Sequence, residues 1–211
     1  METEKEYYRD LSEIRSMMER SSKFLSLSGW SGVLMGIYAL AGAFFANLMM
    51  QDSGSYVLYN MTGSRITSSA AADLLSLAVI VLLIAIGTTI YLAYIKSTKN
   101  KVQFWNATTR RLMVNMMIPL FAGGFLIGIM IAKGLEGMVL SLMLLFYGLT
   151  LVNASKFTYA EIKYLGIIFI GLGLMAAAFT VYSLLLWAIG FGIMHIIYGL
   201  YIHVRYEKHS K

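Results

Sequence analysis

A chain of 211 residues that is 58% hydrophobic and only 13% charged is not a soluble domain, which carries about 25% charged residues. It has no cysteine, which excludes disulfides, a thiolate nucleophile and any cysteine metal site. Its net charge of +6 does not mark a nucleic-acid binder, because the bases cluster in short loops beside apolar runs of about 20 residues, the pattern of a polytopic membrane protein.

Residues 1–23 hold six acids and five bases. Tyr7, Leu11, Ile14, Met18 and Leu25 recur at helical spacing, with Glu2, Glu4 and Glu6 early and Arg15, Arg20 and Lys23 late. That pattern predicts an amphipathic helix lying on the membrane surface, its charges complementing the helix dipole. It also offers a docking surface to a cytoplasmic protein partner. No cleavable signal peptide precedes the first apolar run.

The first span is expected over 24–49. Ser28, Gly32, Gly36, Ala39, Ala43 and Ala46 form a stripe of small residues along it, which lets another helix approach closely, at the centre of the bundle or in a homodimer seam. Residues 55–68 place aromatic and β-branched residues on both sides of Asn60-Met-Thr-Gly63, which suggests a small β-hairpin. The second span, 73–95, leads into a loop with Lys96, Lys99, Lys101, Arg110 and Arg111 and no acid.

The third span, 112–132, contains Pro119, the only proline. Proline cannot bond the carbonyl four residues back, so it frees Asn115 as a backbone acceptor beside an amide side chain. Neighbouring helices or water satisfy such groups in a kinked span; a polar vestibule is the functional alternative. Gly124, Gly128 and Ala132 supply a second small-residue stripe. The fourth span, 138–152, is short. In the loop after it, Ser155 or Thr158 with Glu161 resembles a capping box for the fifth helix.

From Tyr164 to Val204 the chain is apolar for 41 residues, about 60 Å as one helix and twice the hydrocarbon thickness. It must fold back, near 180–184, into spans 164–181 and 184–204, leaving 205–211 as a basic tail. Fifteen of the 17 basic residues then face one side, against Arg65 and Lys133 on the other. This predicts a membrane protein with both termini cytoplasmic. The fold class is all-α: a six-helix transmembrane bundle (24–204) with an interfacial N-terminal helix.

His195 is the one readily titratable group placed deep in a span. Ala188, Gly192, Gly199 and His203 share its face at α-helical spacing, so a close-packed neighbour is expected there. His195 and His203 lie about 12 Å apart along a helix, too far to share a metal ion, and no cofactor is expected. No nucleophile–base pair or phosphate-binding glycine loop stands out. His195 therefore reads either as glue hydrogen-bonded across helices or as an intramembrane polar or ligand site. Tyr198, Tyr38 and Tyr147 are its candidate partners, and Asn115 is a second polar element.

The stretches IRSMMERSSKFLSLSG (14–29), SGVLMGIYALAG (31–42), NASKFT (153–158) and GFGIMHIIYG (190–199) resemble a family of bacterial inner-membrane proteins with no established activity. The resemblance covers nearly the whole chain and implies a six-span bundle. Such proteins often lie beside a small winged-helix regulator, which implies a sensory or regulatory role. Some carry a carotenoid-oxygenase label, but those enzymes hold iron with four histidines and this chain has three. Three functions are thus expected in order: a non-enzymatic sensor or accessory subunit, a small transporter or channel using His195, and a lipid- or quinone-modifying enzyme.

Overall fold

The computed structural model describes Phe24, residues 28–52 and residues 68–208. The expected surface helix at 1–23, nearly all of the hairpin at 55–68, and His209 lie outside the described residues. The described residues form helices and no strand. In chain order these are α1 (Gly29–Asp52), α2 (Ser68–Lys99), α3 (Ala107–Ala132), α4 (Val139–Ala154), α5 (Ile162–Ala178) and α6 (Thr180–Glu207), with a 3-10 turn, Glu136–Met138, before α4. Five are long and apolar enough to cross a membrane, α4 together with the turn before it as a 19-residue stretch, Glu136–Ala154. α5 is the exception: its 17 residues give about 25 Å, at the lower limit for a span.

The outside of the bundle is apolar. On α2, Leu75, Val79, Ile80, Leu83, Ile84 and Ile86 are all exposed, as are Ile118, Phe121 and Phe125 on α3. A water-soluble monomer does not expose apolar surface on this scale. Inside, α1 packs between α2 and α6, and α4 packs between α3 and α5. The main core lies among α4, α5 and α6, around Leu144, Leu151, Leu165, Phe169, Leu186 and Ile202. A second cluster of Phe24, Ala93, Leu112 and Ala154 gathers α2, α3 and α4 at what we call the basic end.

Glycines set the two closest helix approaches. Along α1 and α6, a Cβ on Gly36 would stand 2.5 Å from the Gly192 carbonyl oxygen, and one on Gly199 would stand 2.6 Å from the Gly29 carbonyl oxygen and the Val33 nitrogen. Gly32 faces Gly199 in the same seam. The stripe on the first span therefore meets a stripe on the last within one chain. Between α4 and α5 the corresponding residues are Gly148, Gly166 and Gly173, which the sequence pattern did not single out. Gly124 and Gly128 on α3 need correction: both are exposed, and among the described residues nothing lies within 4 Å of where a Cβ on either would stand. The glycine that packs there is Gly123, buried under the Phe146 ring. A small-residue stripe says which face permits close approach, but only a complementary neighbour makes it happen.

Several helix ends also differ from expectation. α3 begins five residues early because Asn106 caps it, its side-chain oxygen accepting from the Thr109 N–H at 2.8 Å. The capping box before α5 does not form: the residue ahead of the helix, Glu161, has helical backbone and makes no cap bond. Thr158 instead donates to the Phe24 carbonyl at 2.8 Å, and Glu161 accepts from the Tyr206 hydroxyl at 2.7 Å. Tertiary partners took both groups. The fold-back of the long apolar run falls at Phe179 and the Thr180–Tyr182 3-10 turn. Beyond Val204 the helix continues to Glu207, so the first residues of the expected tail belong to α6.

Pro119 sits inside α3. The Asn115 carbonyl that it leaves unbonded accepts from the Asn153 side-chain amide of α4 at 3.0 Å, and the Asn115 side chain donates to the Arg111 carbonyl at 2.8 Å. The freed acceptor is thus satisfied by a neighbouring helix, as a proline in an apolar helix requires.

Candidate functional site

His195 is 3% exposed. Its Nε2 lies 2.9 Å from the Tyr147 hydroxyl of α4, and its Nδ1 lies 3.3 Å from the Gly190 carbonyl oxygen. A carbonyl only accepts, so the network assigns the proton to Nδ1, and Nε2 then accepts from the Tyr147 O–H. Both ring nitrogens of a neutral imidazole are engaged.

The backbone makes this geometry available. Residues Ala188–Met194 of α6 form a π-helical segment, in which bonding runs over five residues instead of four. Gly190 stands five residues before His195, which brings its carbonyl near the ring. Gly190 is also a close-approach point, since a Cβ there would stand 2.7 Å from Leu144 Cδ2. Aromatic rings close around the imidazole: Phe191 parallel at 5.9 Å, Phe169 edge-on at 5.3 Å and Tyr147 tilted at 5.5 Å. Trp187 stacks on Phe191 at 4.9 Å.

The stripe that α-helical spacing aligned with His195 serves a different neighbour. Gly192 and Gly199 face α1, and the His195 backbone carbonyl oxygen lies 3.3 Å from where a Cβ on Gly32 would stand. The imidazole itself lies against α4 and α5. One face of α6 thus serves two neighbours: the His195 ring turns toward α4 and α5, while Gly192 and Gly199 beside it meet α1.

Of the expected partners, Tyr147 makes the bond. Tyr198 does not: its hydroxyl is buried and has no hydrogen-bond partner among the described residues, as is true of Trp187 Nε1 and Ser141 Oγ. Tyr38 is half-buried on α1, and Asn115 is engaged near the basic end of α3. No hydrogen bond joins either to His195 among the described residues. No group of three His, Asp or Glu side chains is placed to hold a metal ion among the described residues.

Sequence reasoning missed a second polar constellation, at the basic end. Glu207 Oε1 accepts from Lys96 Nζ at 2.8 Å and from the Gly29 N–H at 3.0 Å, while Oε2 lies 2.6 Å from His203 Nδ1. One carboxylate therefore ties the start of α1, the end of α2 and the end of α6, and it sits where the α1 dipole favours an anion. Nearby, Trp30 lies 5.4 Å from the His203 ring, and Tyr159 packs on Tyr206 at 4.6 Å. The i, i+4 spacing of His203 and Glu207 was the available clue; the long-range partners had none.

The connection from α2 to α3 is itself well built. Val102 N–H bonds the Ser97 carbonyl and Lys101 N–H bonds the Thr98 carbonyl, at 3.0 and 3.1 Å. This is the double bond pattern of a glycine-type helix end, yet its left-handed position is held by Lys101, with φ 54°. A side chain there costs about 1–2 kcal/mol. Ser97 donates to the Val102 carbonyl at 2.6 Å and Thr109 to the Phe104 carbonyl at 2.8 Å.

No protein-family model matches the chain, and neither a curated protein nor a solved structure does. The family resemblance therefore rests on the quoted stretches alone.

Proposed function

We propose that this is a multi-pass protein of the bacterial inner membrane, with both termini cytoplasmic, that acts as a non-enzymatic sensor or accessory subunit. The observation that supports this reading most is His195. Its two nitrogens are spent on Tyr147 and Gly190 inside an aromatic enclosure, which suits interhelical glue better than a ligand or transport site. The charged segment 1–23 is then where a cytoplasmic protein partner would dock.

The test is made in cells with the full chain. Deleting residues 1–20 should abolish defined crosslinks from a photoreactive side chain placed at Lys156, which is exposed in the loop after α4, and blunt the associated cellular response, while His195→Gln should leave both intact. If the deletion changes neither crosslinks nor response, the reading fails. Loss of the response in His195→Gln, with the fold retained, would move the assignment to a transporter or channel.

A further inference from the structure

We infer that the α2–α3 connection is a preformed docking platform for anionic phospholipid headgroups. Lys99, Lys101, Arg110 and Arg111 are all exposed, and none forms an ion pair with a described residue. No acid occurs between Lys96 and Arg111. Trp105 is 63% exposed and Val102 51%, so the same short connection presents an indole and an aliphatic side chain beside four cations. Exposed tryptophan with lysine and arginine at the end of an apolar helix suits the headgroup layer, where one surface is apolar and the next is charged.

The loop beneath these side chains is held in one shape. Asn106 caps α3 and donates to the Gln103 carbonyl at 3.1 Å, Ser97 and Thr109 bond the loop carbonyls, and Phe104 packs edge-on against Phe24 and Tyr94 at 6.2 and 5.9 Å. A loop tied by its own polar groups directs its bases outward at little ordering cost on binding. Lys101 is the sharpest element. It occupies a left-handed position that glycine fits better, so a charged side chain stands there against backbone preference, between Lys99 and Arg110 in the chain. A residue held in an unfavourable backbone region is a pointer to function.

The platform rests on the membrane reading above, but its test does not need the proposed orientation. Full-length protein is reconstituted in nanodiscs of phosphatidylcholine with phosphatidylglycerol, and the lipids that remain bound are counted by native mass spectrometry. Each basic residue near an anionic surface contributes about five-fold in binding. Lys101→Gly should lose about five-fold of the phosphatidylglycerol preference while thermal stability holds or rises, because glycine relieves the left-handed position. Arg110→Gln with Arg111→Gln should lose about 25-fold, and Lys133→Gln, at the opposite end, should lose none. A merely structural Lys101 would lower stability and binding together, or change neither. Unchanged lipid preference in these variants overturns the proposal, as does displacement of the lipid by inorganic phosphate, which would mark a site for a free anion. Retained lipid preference with loss of a crosslinked protein would assign the surface to a protein partner instead. Labelling of Gln103→Cys by an impermeant maleimide in intact cells reports orientation separately: labelling from outside refutes the cytoplasmic placement and leaves the nanodisc result standing.

Discussion

Tyr147→Phe removes one oxygen atom and leaves the rest of the enclosure in place. The ring still meets Phe169 at 5.1 Å and Phe191 at 4.8 Å, so packing is nearly constant and the change reports the hydrogen bond to His195. A buried acceptor left without its donor costs about 1–3 kcal/mol. Hydrogen bonds between helices in a bilayer average only about 0.6 kcal/mol with a maximum of about 1.7. The His195 site lies toward the upper part of that range, because it is 3% exposed and no other side chain bonds Nε2 among the described residues. We therefore expect Tyr147→Phe to destabilise by about 1 kcal/mol. His195→Leu should cost a similar amount, and the double variant should cost less than the two single changes added together, with a coupling of about 1 kcal/mol. Reversible unfolding in mixed micelles, followed by circular dichroism, measures all four species. Additive single effects, with coupling below about 0.3 kcal/mol, would show that the 2.9 Å contact contributes nothing and that His195 is retained for another reason.

Three further outcomes follow from the same structure. Asn153→Leu should destabilise α3 by about 1 kcal/mol by stranding the Asn115 carbonyl, and Pro119→Ala should recover most of it by restoring the amide four residues on, again read by micelle unfolding. Gly199→Leu should destabilise by more than about 3 kcal/mol, because its side chain meets the Gly29 and Val33 backbone, whereas Gly124→Leu and Gly128→Leu enter open space and should change little. Glu207→Gln should lower stability by about 1–2 kcal/mol, because its carboxylate accepts from Lys96 Nζ and the Gly29 N–H, and micelle unfolding measures this too.

Much of the architecture was legible in the pattern of residues. Apolar runs of span length appear as helices, and the uncharged stretch from Tyr164 to Val204 does fold back, at Phe179 to Tyr182. The α1 stripe through Gly32 and Gly36 sits in a close seam. Pro119 made the Asn115 carbonyl an expected free acceptor, though not its partner Asn153. Less of the candidate site was legible. His195 was visible as a buried polar residue and Tyr147 as one of several candidate partners, but the glycine face assigned to it belongs to α1. Glu207 went unnoticed: only its i, i+4 spacing to His203 hinted at it, and its partners Lys96 and Gly29 lie on other helices.

The division has a physical cause. Hydrophobicity, helical periodicity and the chemistry of proline and glycine act within one stretch of chain, so composition alone determined that this protein is a bundle of long apolar helices, and local spacing marked which faces allow close approach. Which glycine meets which backbone, whether Gly123 or Gly124 is covered, and which carboxylate joins three helix ends depend on partners on other helices, from 18 residues away for Gly148 and Gly166 to 178 for Gly29 and Glu207. That the His195 ring meets α4 and α5 while Gly192 and Gly199 meet α1 likewise depends on which helices pack on either side of α6. Only the tertiary structure decided those, because their energies arise from contacts that no local pattern encodes.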